Sequence, residues 1–193
     1  MALLRRGKAV QRMRRIANKT GSSVQNKAYK ISVCAVLTAL AMIFSYVEAI
    51  LPFNFGIPGV KLGLSNLVVL ITLYSIGTPY AFAVNLTRIL LSGLLFGGVS
   101  AMMYSLAGGM LSFAVMVLLK RTKVFSPIGI SMAGGVMHNV GQLTVAALII
   151  ENAKIYFYMP VLLISGTVTG ILLGIGSVLI LKRLGAESEF AQR

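Results

Sequence analysis

Residues 127–150 read PIGISMAGGVMHNVGQLTVAALII, a stretch with no Asp, Glu, Lys or Arg. At about 1.5 Å per residue, one helix of this length crosses the roughly 30 Å hydrocarbon core of a bilayer. Within it, GGVMHNVGQ (Gly134–Gln142) holds the single histidine of the chain, His138, with Asn139 beside it and Gln142 one helical turn on. Polar side chains at that depth have no water to bond, so they turn toward protein or toward a ligand rather than toward lipid.

The rest of the chain reads the same way. It has 193 residues, of which 57% are hydrophobic and 11% charged, with a mean hydropathy of +0.88. A soluble domain carries about a quarter charged residues, so this composition excludes a water-soluble globule and implies an all-α integral membrane protein. Apolar stretches fall at about residues 30–51, 62–77, 79–97, 99–119, 127–150 and 157–181. They predict a bundle of six transmembrane helices over residues 30–184, preceded by a basic segment, 1–29, and followed by a short tail, 185–193. Turn chemistry separates the spans: PFNFGIPGVKLG (Pro52–Gly63), Gly77-Thr78-Pro79, Gly97-Gly98, Lys120–Pro127 and Glu151–Tyr156. The lone cysteine, Cys34, excludes an internal disulfide framework.

Lysine and arginine placement orients the bundle. Arg5, Arg6, Lys8, Arg12, Arg14, Arg15, Lys19, Lys27 and Lys30 precede the first span; Lys120, Arg121 and Lys123 join the fourth to the fifth; Lys182, Arg183 and Arg193 follow the last. With six spans all of these share one side, and the other side receives only Lys61 and Lys154. The positive-inside rule then puts both termini in the cytoplasm and the chain in the cell membrane. The net charge of +14 is thereby a topology signal beside anionic lipid and calls for no nucleic acid.

The polar residues inside the spans gather on a few helices. Glu48 stands near the outer end of the first span, Lys61 and Asn66 follow the outer loop, Asn85 and Arg88 share a face of the third, and His138, Asn139 and Gln142 lie on the fifth. An arginine at mid-span costs about 2.5–3.5 kcal/mol on insertion scales, so Arg88 faces protein or water. Together these eight residues predict a cavity in the outer half of the bundle for a small molecule with an anionic or carbonyl-rich part. Each has a plainer use as well. The amides bond across helices, Arg88 and Glu48 pair structurally, and a lone histidine is more often a satisfied core residue than a ligand. Gly166, Gly170 and Gly174 read as helix packing alone.

The runs AVLTALAMIFSYVEAILPF (35–53), GVKLGLSNLVVLITLYSIG (59–77), NLTRILLSGLLFGG (85–98) and GGVMHNVGQ resemble the Gx transporter family, often labelled heptaprenyl diphosphate synthase component I. That family is similar to the S-components of energy-coupling factor transporters, six-helix proteins that bind vitamins from outside and dock a scaffold subunit and two ATPases. The resemblance implies an S-component-like fold and a docking face at Ala35 and Ala39. It also implies a flavin, vitamin or quinone or isoprenoid precursor as ligand, or else membership of a flavin or redox trafficking assembly. The synthase label implies a link to prenyl diphosphate synthesis. Such chemistry uses clustered aspartates to hold Mg²⁺ against diphosphate, and this chain has no aspartate among its four acidic residues. No catalytic residue, metal site or cofactor is therefore expected, and with no G-x-x-x-x-G-K-[ST] loop any ATP-driven step belongs to another subunit.

Overall fold

The computed structural model describes residues 2–50 and 63–185. Six α-helices follow one another: α1 Ala2–Ile50, α2 Asn66–Ser75, α3 Thr78–Ser92, α4 Gly98–Thr122, α5 Pro127–Ile150 and α6 Met159–Arg183. A π-helical turn, Gly93–Gly97, joins α3 to α4, and a 3-10 helix, Ala153–Tyr158, leads into α6. No strand occurs among the described residues. The first helix runs unbroken from Ala2, and its apolar part of membrane-crossing length is Gln25–Ile50.

Four helical stretches are long and apolar enough to cross a bilayer: Gln25–Ile50, Thr78–Thr122, Pro127–Ile150 and Lys154–Arg183. The expectation of six long spans is not met, for two physical reasons. The stretch at 62–77 forms only the ten-residue α2, about 15 Å of helix against a core of about 30 Å. It is buried almost all round, with Val68, Val69 and Leu73 fully covered, as a helix apolar on every face must be when it sits inside a bundle. The stretches at 79–97 and 99–119 are helical without a break, yet they fold back on each other. Asn85 Nδ2 donates to the Gly109 carbonyl, Phe82 packs on Phe113 at 5.7 Å, and a Cβ on Gly93 would strike Met102. These pairings converge on Gly97-Gly98, where Gly98 adopts a φ of +71° that glycine takes without steric cost.

Local chemistry sets the other ends. Gly77, with φ +115°, admits the turn from α2 into α3, which carries Pro79 in its first turn. The Ser126 hydroxyl accepts from the Gly129 amide and Pro127 opens α5. Lys120, in the last turn of α4, donates to the Leu73 carbonyl at 2.7 Å and lies 4.5 Å from the ring of Tyr74. Its ammonium thus meets the negative end of the α2 dipole.

Two apolar clusters fill the interior. One gathers Val69, Leu70, Ile71, Leu73 and Tyr74 of α2 with Ala81, Phe113, Met116, Ile130 and Leu181; the other joins Tyr104, Leu143, Ala146 and Leu162. On α4 and α5 they lie at opposite ends, with residues 105–112 and 131–142 between them. Outward faces stay apolar, as with Val36 and Ile43 on α1 and Ile164, Val168 and Leu172 on α6. In a bilayer these residues meet lipid.

Candidate functional site

Between the two apolar clusters lies a polar layer. Its centre is Arg88, in the C-terminal half of α3 and 3% exposed. All three nitrogens of the guanidinium donate. Nη2 and Nε donate to Asn85 Oδ1 at 2.9 and 3.2 Å, Nη1 donates to Ser65 Oγ, and Nη2 also reaches Asn66 Oδ1 at 3.4 Å. Asn85 passes the link to α4 through the Gly109 carbonyl at 3.0 Å. Three helices are thereby tied by one cation, and planar, directional donors of this kind make arginine a better bridge than lysine.

Glu48 sits near the end of α1, with one carboxylate oxygen accepting from the backbone amides of both Gly63 and Leu64, the latter at 2.9 Å. These amides lie at the approach to α2, where the Asn66 amide donates to the Gly63 carbonyl at 2.8 Å. A carboxylate there satisfies orphan donors and meets the positive end of the helix dipole. The same carboxylate acts electrostatically on Arg88, so the interior holds one charge of each sign on linked hydrogen-bond networks.

His138 closes the layer from α5. A Cβ on Gly63 would come 3.4 Å from its ring, and one on Gly108 would come 3.1 Å from its Nδ1. Gln142, one turn on, lies against the same Gly108. Asn139 is turned away by the 100° step between neighbouring helical residues. It donates to the Leu162 carbonyl of α6 at 2.8 Å, a helix-bridging amide outside the Arg88 network.

Of the eight residues expected to line a cavity, Glu48, Asn66, Asn85, Arg88, His138 and Gln142 meet in this layer, Asn139 faces α6, and Lys61 lies outside the described residues. Ala35 and Ala39 are exposed on α1. Sequence reasoning passed over Ser65 and the amides of Gly63 and Leu64. The signal for Ser65 was its place beside Asn66 at the opening of α2; backbone donors leave no such mark.

The layer is not saturated with bonds. Among the described residues Ser45 Oγ, Asn66 Nδ2 and Ser112 Oγ are buried without a hydrogen-bond partner, each a deficit of about 1–3 kcal/mol. Among the described residues no three His, Cys, Asp or Glu side chains cluster as metal ligands do. The arrangement offers fixed donors and one buried cation, which suits recognition of an electron-rich group.

A family model described as heptaprenyl diphosphate synthase component I matches residues 37–180. The chain belongs to this family. No curated protein and no solved structure matches it. The match to the component I family takes in every residue of the polar layer, from Glu48 on α1 to Gln142 on α5. Membership and the apolar helices together make this a multi-pass membrane protein.

Proposed function

We propose that the protein is a membrane substrate-binding subunit of a transporter, similar to the S-components of energy-coupling factor systems, and that it performs no catalysis itself. The observation that supports this reading is the buried Arg88 layer, a cation and several unmatched polar atoms held between two apolar clusters. Buried ionic groups seldom raise stability over well-packed apolar ones, so a structural role alone explains the layer poorly. Its ligand is a small molecule with an anionic or carbonyl-rich part: a flavin, a vitamin, or a quinone or isoprenoid precursor. The exposed Ala35 and Ala39 offer α1 a close-approach face for a scaffold subunit that carries the ATPases.

The family description supports a second reading, in which the chain is a non-catalytic membrane component beside a prenyl diphosphate synthase. Native mass spectrometry of gently purified protein separates the two. A co-purified small molecule, released more readily from His138→Ala, supports the binding subunit. In that variant we expect affinity to fall about tenfold or more, as loss of one hydrogen bond to a charged group implies, with the melting temperature close to that of the parent. A co-purified synthase chain with no small molecule overturns the first reading and supports the second.

We further propose that the chain crosses the cell membrane six times with both termini cytoplasmic. The fold-back at Gly97-Gly98 supports two crossings within Thr78–Thr122, and α2, covered on nearly every side inside the bundle, is counted as the second crossing. In a Cys34→Ser background, a thiol reagent that cannot cross the membrane should label Ala153→Cys and spare Thr122→Cys in intact cells. The reverse pattern sinks this topology.

A further inference from the structure

Glu48 and Glu151 are the glutamates among the described residues, and Glu151 lies at the C-terminal end of α5. Glu48 alone is buried in the bundle. It places an oxygen on the Gly63 and Leu64 amides, where the backbone turns into α2 with Gly63 at φ +82°. A pair of converging amides at the positive end of a helix is a general oxyanion site. Here the oxyanion is supplied by the chain.

The surroundings hold more donors than Glu48 satisfies. Asn66, the first residue of α2, is more than nine-tenths buried, and its Nδ2 has no acceptor among the described residues. That nitrogen lies 3.0 Å from the point a Cβ on Gly63 would occupy, and the His138 ring lies 3.4 Å from the same point. The amide donor is thus aimed at the space beside Gly63, next to the atom on which Glu48 sits. Its other end, Oδ1, receives Arg88, which fixes the amide with its NH2 turned this way. Two backbone amides share one Glu48 oxygen, and beside them Asn66 Nδ2 is a buried donor with no acceptor among the described residues.

We infer that the approach to α2 is an oxyanion seat which Glu48 fills in the absence of ligand, and that the carboxylate or phosphate of the ligand takes this seat by displacing Glu48. The inference rests on reading the Arg88 layer as a ligand site and names the ligand class. Because Glu48 belongs to α1 and the seat to α2, exchange loosens the tie between these helices when ligand arrives. Occupancy is thereby reported on α1, the helix that exposes Ala35 and Ala39.

Removing the internal anion exposes the seat to anions from solution. Purified wild-type protein, Glu48→Ala and Glu48→Gln are compared in detergent by thermal unfolding against sodium formate, acetate and phosphate, with chloride at matched ionic strength as the reference. Glu48→Ala should melt lower than wild type in chloride and regain stability along a saturable curve in one of the oxyanions, with an apparent affinity at least tenfold tighter than wild type shows. The gain should vanish when Arg88→Gln is added. Preference for formate and acetate assigns a carboxylate ligand; preference for phosphate assigns a phosphate ligand. Should Glu48→Ala fail to fold, Glu48→Gln, which keeps the side-chain volume, should show the same gain at smaller amplitude. Curves for the variants that coincide with wild type overturn the exchange and leave Glu48 as a helix cap. If the wild-type protein still yields a co-purified small molecule in that case, the binding-subunit reading stands and only the seat is lost.

Discussion

Replacing Arg88 with alanine is expected to destabilise the fold by about 3–5 kcal/mol, the usual cost of removing one partner from a buried charged network. The change strands three acceptors at once, Ser65 and Asn66 at the start of α2 and Asn85 on α3, since all of them receive the guanidinium. It also leaves the Glu48 carboxylate buried with its internal counter-charge gone. Lysine at this position should recover only a small part of the loss, because one ammonium cannot reproduce a planar fork that bonds Ser65 and Asn85 together. Reversible unfolding in mixed micelles measures the effect. A loss below about 1 kcal/mol, the range of exposed ion pairs, would show that the network seen around Arg88 does not hold the helices. Asn85→Ala supplies a sharper check. Because Asn85 links Arg88 to the Gly109 carbonyl, the double variant should fall short of the sum of the single losses by about 0.5–3 kcal/mol, the range for residues in one network.

What the sequence made legible, and what it hid, follows from which forces leave a mark in local composition. Membrane insertion does, because it acts on long apolar runs, and all-helical structure follows from it. Turn chemistry does too: Gly77 and Pro79, and Ser126 with Pro127, stand where helices begin. The shortness of α2 left no mark. Leu67 to Tyr74 is apolar on every face, and such a run reads alike whether lipid or other helices cover it; only tertiary contacts decide. The expected break at Gly97-Gly98 is real as a change of direction, but the helical hydrogen bonding runs up to it through a π turn, so continuity and reversal coincide. At the site, residue type revealed the polar side chains and helical period placed Arg88 with Asn85, and His138 with Gln142. The single-residue step that turns Asn139 toward α6 was not resolved by counting polar residues. The backbone amides beneath Glu48 had no sequence signature.

The α5–α6 contact carries the other large expected effect, and it bears on the site because α5 holds His138 in place. A Cβ on Gly135 would lie 2.5 Å from the Gly166 carbonyl oxygen and 3.4 Å from the Gly170 Cα, and one on Gly170 would lie 2.6 Å from the Met132 Cα. These obstacles are backbone, with no side chain to swing aside. Lipid gives helices no hydrophobic reason to associate, so close backbone approach supplies much of what holds such a pair together. Gly135→Ala should therefore cost about 1–3 kcal/mol by overpacking, and Gly135→Leu more, because separation of the helices also stretches the bond from Asn139 to the Leu162 carbonyl. Gly129→Ala on the same helix provides the control. Its Cβ would meet nothing nearer than the Ser126 hydroxyl at 3.7 Å, and alanine exceeds glycine in helix propensity by up to about 1 kcal/mol. Unfolding measurements on the two alanine variants should thus move in opposite directions. Equal changes of the same sign would mean that α5 and α6 do not touch at Gly135, and that His138 is held by something other than this contact.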